Sequence, residues 1–243
     1  MLSRLSRSIP RALEKAISPR IFLSTQVRLS QLTRDLPARN ELHIARKLWH
    51  ISTGLIIVTC YMSGLSQSVG IQILSYLLAF SITMEFLRLK NPAVNETCVR
   101  FFSPIIRRHE VNKISGTPYY VASSLVAIAV FPKPVAILSL LYLALGDPIS
   151  SFFGVLYSKK SVRIFEGKSL HGTVAGFIAC SLVTWIYLRS TGMYGLNLIR
   201  LSLLGGFAGA LAELLPLEVD DNFTIPVVSG FIMWIGFIVI HFV

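Results

Sequence analysis

Asp147 stands inside an apolar run long enough to cross a membrane, in the stretch LALGDPISSFFG that begins at Leu143. A carboxylate at membrane depth is costly, so it usually faces a protein interior or a wet cavity and marks a functional position. On a helix Asp147, Ser150, Ser151 and Gly154 follow the i, i+3, i+4, i+7 rule and share one face. Pro148 removes a backbone donor and can free carbonyls beside the acid. The plainer alternative is a kinked helix whose Asp is satisfied by a neighbour. A basic linker follows, with Lys159, Lys160, Arg163 and Lys168, and then Gly172 and Gly176 open another apolar segment. An intramembrane acid, small residues around it and a cationic loop point to a site for a phosphorylated ligand.

Three further constellations bear on that chemistry. Arg46-Lys47-Leu48-Trp49-His50 lies at the mouth of the first apolar segment. Arg46 and His50 are four apart and Lys47 and His50 three apart, so they share a helix face. Arg supplies a bidentate fork for phosphate and Lys a point charge, although Arg-Lys before a span also marks topology and Trp49 is an ordinary interfacial anchor. Glu166-Gly167-Lys168-Ser169-Leu170-His171-Gly172 invites comparison with a Walker A loop. That motif needs Gly at position 162, where Val162 stands, and no buried strand precedes it. What remains is a helix N-terminus with Lys168, Ser169 and Gly172, which favours an anion, or Ser169 as a simple N-cap. Finally, Glu213, Glu218, Asp220 and Asp221 fall within nine residues, followed by Asn222. Such hard oxygen ligands suit Mg²⁺ bound with waters and substrate phosphates, with Asp147 completing the set; the alternative is a solvated turn with Asp221 or Asn222 capping the last helix.

The elements that must position these residues are helices. The chain of 243 residues is 53% hydrophobic, only 14% charged, with a mean hydropathy of +0.64. Those values exclude an ordinary soluble domain and predict an all-α, polytopic integral membrane bundle. Seven apolar stretches, at 48–64, 70–87, 119–132, 134–157, 172–188, 198–216 and 225–242, predict about seven transmembrane helices. The third is short, and Phe131-Pro132-Lys133-Pro134 turns it tightly into the fourth. With a cytoplasmic N-terminus, Arg88, Lys90, Arg100, Arg107, Arg108 and Lys113 in the 88–118 loop and the four cations of 158–171 lie inside. The far side keeps Lys133, Arg189 and Arg200, which satisfies the positive-inside rule. All the polar constellations then open to one face. The 88–118 loop mixes Val94, Val99, Phe101, Phe102, Ile105 and Ile106 with basic residues and reads as an interfacial helix or a plain connector.

Residues 1–40 form a basic tail with eight Lys/Arg and two acids; residues 41–243 form the membrane domain. Leu2, Leu5, Ile9 and Leu13 recur at helical spacing, so the tail fits either a mitochondrial targeting segment or a disordered cytosolic one interrupted by Pro10 and Pro19. The net charge of +11 concentrates in this tail and in loops beside spans, where it attracts anionic lipids or nucleotides in preference to nucleic acid. Cys60, Cys98 and Cys180 lack metal-ligand spacing and read as free thiols.

The set RKLWH, LALGDPISSFFG, GKSLHGTVAG and AELLPLEVDDNFTIPVVSG, in that order, resembles the CTP-dependent lipid-alcohol kinases, which include diacylglycerol, dolichol, phytol and farnesol kinases. The resemblance covers about 44–243, and in size and in its DDNFTIP ending the chain is most similar to the fungal diacylglycerol kinases. It implies CTP as phosphoryl donor, a divalent cation, Asp147 as the essential acid, and Arg46 and Lys47 on the phosphates or in catalysis. It places Gly146, Gly154, Lys168, Ser169, Gly172 and Asn222 on the nucleotide side, and Asp147, Glu213, Asp220 and Asp221 on the metal. Many members carry an acid where this chain has His171, so that position is left out of the metal set. The implied reaction is phosphorylation of diacylglycerol to phosphatidate, with phytol or another prenol as alternative acceptor and no obligatory protein partner. A cytidylyltransferase releasing pyrophosphate and a transporter with Asp147 on an ion path are the rival readings. The implied location is the endoplasmic reticulum and nuclear membrane, the mitochondrial membrane being the alternative.

Overall fold

The computed structural model describes residues 19–36, 43–158, 161–164 and 168–240. The targeting reading of Leu2, Leu5, Ile9 and Leu13, and the linker residues Lys159, Lys160, Glu166 and Gly167, lie outside them. The helices are α1 Pro19–Asp35, α2 Ile44–Met62, α3 Gln67–Lys90, α4 Pro92–Phe101, α5 Gly116–Val130, α6 Lys133–Leu156, α7 Leu170–Ser190, α8 Gly195–Leu214 and α9 Asp221–Val239. Among the described residues there is no β-strand, only an isolated antiparallel bridge between Arg163 and Ser169. Each of the seven apolar stretches falls on a helix within its described residues. By length and composition α3, α6, α7, α8 and α9 can cross a membrane, whereas α5 is apolar but only 15 residues long. The first turns of α2 are given over to Arg46, Lys47 and His50.

The chain divides into two compact units, Met1–His43 with Phe80–Ser115, and Ile44–Ala79 with Gly116–Val243. In the first unit residues 88–115, most of the 88–118 loop, are folded. Asn91 caps α4 by accepting from the Ala93 and Val94 N–H groups, with Pro92 at its first position, where the missing donor costs nothing. Val99 packs with Leu36 and Val111 in a small core, while Phe101 is exposed. Buried Arg88 binds this unit together, donating to Glu85 Oε2 and to the Lys113 carbonyl, both at 2.6 Å, and to the Glu110 carbonyl at 3.1 Å.

In the second unit α6 is the central element, with Val135 to Leu140 and Tyr142 to Ala144 all buried. The Phe131-Pro132 turn joins it to α5 as expected, Pro132 capping α6 with Pro134 in its first turn. Gly205, Gly206 and Gly209 bring α8 close to α7: a Cβ on Gly206 would lie 2.6 Å from the Phe177 carbonyl. Small residues of this kind are how helices approach one another in lipid. Pro226 inside α9 has no N–H for the Asn222 carbonyl four residues back, and Ser123 of α5 donates to that carbonyl instead, at 2.7 Å.

Candidate active site

Asp147 follows a single π turn, Tyr142–Gly146, within α6. Its N–H goes to the Tyr142 carbonyl, five residues back, so the Leu143 carbonyl is released. His50 of α2 takes up that carbonyl through Nε2 at 3.1 Å. The freed carbonyl that Pro148 signals in the sequence is therefore present, with the π turn as its immediate cause. The Asp147 side chain is 22% exposed and lies 3.9 Å from His50 Nε2, beyond hydrogen-bonding distance. Among the described residues nothing donates a hydrogen bond to its carboxylate, although its charge is felt at His50, Tyr120, Lys168, Glu213 and Asp220. An anion left so is unusual, since buried charges are ordinarily paired.

The face Asp147–Ser150–Ser151–Gly154 is used along its whole length. Lys47 donates to Ser151 Oγ at 2.6 Å and lies 3.4 Å from the Pro148 carbonyl, which brings the basic pair of α2 alongside the acid. Leu48 and Trp49 point outward, while Arg46, Lys47 and His50 are half-buried. The Arg46 head lies where a Cβ on Gly116 would come within 3.1 Å of Nη2, beside the Asn222 amide, and its charge reaches Asp220. Ser150 donates to Glu213 Oε1 at 2.7 Å. Gly154 and Gly172 let α6 and α7 touch: a Cβ on Gly172 would sit 2.9 Å from the Ser150 carbonyl and 3.2 Å from Gly154 Cα. Gly146 likewise has a packing role, since a Cβ there would strike Cys180 Sγ.

The basic loop is shaped by two backbone bonds, Ile164 N–H to the Lys168 carbonyl and Leu170 N–H to the Val162 carbonyl. They hold Lys168 so that its Nζ meets Asp221 Oδ2 at 2.8 Å. Burial pushes the Lys168 ammonium down, but Asp221 and Glu213 outweigh it and the net displacement is upward. Ser169 caps α7, accepting the Gly172 N–H at 3.1 Å. Asp220 caps α9 by accepting from Asn222 N–H at 3.0 Å, so the cap is neither Asp221 nor Asn222. Burial pushes the Asp220 carboxyl upward, against the opposing Asn222 N–H. Asn222 itself is buried and donates to the Gly116 carbonyl at 3.3 Å. Glu218 is exposed and stands apart from this group, and His171 stacks on Tyr157 with ring centroids 5.1 Å apart.

Asp147, Glu213, Asp220 and Asp221 thus share one electrostatic neighbourhood with Arg46, Lys47 and Lys168. Among the described residues no three carboxylate, imidazole or thiol groups form a ready-made metal cage. One oxygen each of Glu213, Asp220 and Asp221 is committed to Ser150, Asn222 and Lys168, and the second remains for a ligand. That donor set fits a hard cation that takes one or two carboxylates and completes its shell with water and phosphate. Tyr120, Ser123 and Gly116 line the site without any signal in the sequence; each acts through shape or a backbone contact, and GTPYYVASS reads only as the start of a span.

The chain is 29% identical to the CTP-dependent diacylglycerol kinase 1 of Saccharomyces cerevisiae over 208 residues, 78% of this chain and 72% of that protein. It is 30% identical to the CTP-dependent diacylglycerol kinase 1 of Eremothecium gossypii, over 78% of this chain and 66% of the other. It is also 29% identical to the chloroplastic farnesol kinase of Arabidopsis thaliana, over 79% of this chain and 66% of the other. No family model matches the chain, and no solved structure matches it. With four motifs in order, brought together at one end of a helical bundle, and with relatives of this kind along most of its length, the chain belongs to the CTP-dependent lipid kinase family.

Proposed function

We propose that this chain transfers the γ-phosphoryl group of CTP to the hydroxyl of a membrane lipid alcohol, with diacylglycerol as acceptor and phosphatidate as product. The observation that carries the reading is the Asp147 carboxylate, held in the bundle without a hydrogen bond from any described residue, between a cationic and an acidic cluster. Phosphoryl transfer asks a protein mainly for positioning and charge neutralisation, and both are on offer. Arg46, Lys47 and Lys168 neutralise the triphosphate. Asp220, Asp221 and Glu213, with Asp147 as a further ligand or as the base, would hold a divalent cation, Mg²⁺ by donor type, which when bound would screen the phosphate charge. Lys168 then exchanges Asp221 for phosphate oxygens. The acceptor oxygen forms the new P–O bond, the bond from the γ-phosphorus to the bridging oxygen breaks, and CDP leaves. The hydroxyl proton passes to a carboxylate, the role proposed for Asp147. The fungal kinase relatives support diacylglycerol and CTP. The proposed location is the endoplasmic reticulum or nuclear membrane, with mitochondria as the alternative that the basic tail raises.

The test is a transfer assay on the purified full chain in lipid nanodiscs, with γ-labelled CTP or ATP, Mg²⁺, and diacylglycerol or a prenol. Labelled phosphatidate from CTP is expected. Label in prenyl phosphate moves the acceptor to the class of the farnesol kinase relative. Pyrophosphate release overturns the kinase chemistry, and no transfer from either nucleotide overturns the reading altogether.

A further inference from the structure

In a regular α-helix the Asp147 N–H would bond to the Leu143 carbonyl four residues back; here it reaches Tyr142. The wider turn rotates Asp147 and all that follows by roughly one residue's step, about 100°, relative to a straight continuation. It also leaves the Leu143 carbonyl bare in an interior where Leu143 is fully buried. His50 Nε2 takes it at 3.1 Å. A carbonyl only accepts, so Nε2 carries the proton. The imidazole is itself held in place. Tyr120 packs edge-on at 4.7 Å between centroids and donates to the His50 carbonyl at 3.3 Å. Gly54, one turn along α2, is bare where a Cβ would strike the Tyr120 hydroxyl and Ala144.

We propose that His50 is a positioning residue for phosphoryl transfer: its Nε2–H holds the π turn open and so fixes the direction of the Asp147 carboxylate. The inference rests on Asp147 being the catalytic carboxylate. His50 spends its proton on Leu143 and, at 3.9 Å from Asp147, makes no hydrogen bond to it. Without this donor the Asp147 N–H returns to Leu143, the π turn closes, and the carboxylate swings off the Lys47–Ser151 face.

His50→Ala is expected to lower kcat about 100-fold with KM for CTP within about twofold, and His50→Gln to recover kcat to within about fivefold of the native chain. The glutamine amide reaches the same carbonyl and never ionises, so the pH–rate profile stays as in the native chain. A glutamine variant as impaired as alanine means that His50 moves protons, and overturns the proposal. A second measurement does not depend on kinase activity. In ¹⁵N-histidine-labelled full chain in nanodiscs, the resonance lost in His50→Gln is expected to be that of a neutral ring protonated at Nε2. A ring there that carries its proton on Nδ1 and none on Nε2 overturns the proposal even if no phosphoryl transfer is found and the functional reading has failed. If His50→Ala does not fold, the glutamine variant and this spectrum decide.

Discussion

The hydroxyl of Ser150 donates to Oε1 of Glu213 at 2.7 Å across 63 residues of chain. This one bond joins the acid-bearing face of α6 to the end of α8, and Gly176 of α7 leaves room for it: a Cβ there would lie 3.3 Å from Glu213 Oε2. Glu213 is only 8% exposed, so removing its donor leaves a buried carboxylate oxygen unmet. Ser150→Ala is expected to destabilise the bundle by about 1–3 kcal/mol, read as a lower thermal midpoint in detergent. An unchanged midpoint would mean that the bond contributes nothing.

Lys168 offers a test in pH. Burial disfavours its ammonium, yet Asp221 and Glu213 raise its pKa above the ordinary 10.5. A group whose folded pKa is raised contributes stability fully below its unfolded pKa and loses it as pH rises through the folded one. The native chain is therefore expected to lose stability above about pH 10.5 in a way that Lys168→Met does not. Thermal unfolding of both from pH 8 to pH 12 checks this. The same substitution, removing a charge-assisted phosphate contact, is expected to raise KM for CTP about tenfold to hundredfold.

Asp220 behaves in the opposite sense to a salt-bridged acid. Burial raises its pKa, so it binds its proton more tightly folded than unfolded, and stability is lost as pH rises through the raised value. Burial disfavours the ionised group in the ligand-free chain, and a bound divalent cation would offset that cost. Cation affinity is expected to fall as pH is lowered through that pKa. Mn²⁺ binding followed by electron paramagnetic resonance at pH 8, 7, 6 and 5 measures it. Asp220→Asn should bind more weakly and flatten the dependence; an unchanged pH dependence in that variant would remove Asp220 from the cation site.

Gly172 and Gly154 predict a graded pair of effects. A methyl on Gly172 meets backbone on two sides, the Ser150 carbonyl at 2.9 Å and Gly154 Cα at 3.2 Å, whereas one on Gly154 meets the Ser169 hydroxyl at 3.1 Å. Backbone cannot step aside as a side chain can. Gly172→Ala is expected to cost about 1–3 kcal/mol by overpacking and Gly154→Ala less, in the same unfolding assay. Equal effects would deny the close contact of α6 with α7.

Much of this was legible in the residues because membrane helices follow apolar length and because charge inside them is conspicuous. Asp147, the Arg46-Lys47 pair and the acidic cluster declare themselves by cost or by contrast with their surroundings. The spacing 147, 150, 151, 154 gave a face, and that face carries Lys47, Glu213 and Gly172 contacts. What the pattern did not contain is pairing. No periodicity says that Ser150 meets Glu213, that Arg46 and Asn222 both come up to Gly116, or that Asp220 and not its neighbours caps α9. The π turn is invisible for the same reason: it is a change of register by one hydrogen bond, made permissible by a histidine 93 residues away. The 88–118 loop, open between interfacial helix and connector, is fixed by Arg88 bonding to carbonyls that sequence cannot assign.

The most direct test of the central claim is Asp147→Asn, compared with the native chain for both activity and stability. Because nothing described donates to the Asp147 carboxylate, neutralising it removes an unmet charge from the bundle, and the variant is expected to insert, fold and melt at or above the native temperature. Its transfer of label from γ-labelled CTP to diacylglycerol is expected to fall at least about 1,000-fold, since a catalytic anion rather than a structural one has been lost. A well-folded Asp147→Asn that still makes phosphatidate at a substantial fraction of the native rate would contradict the account.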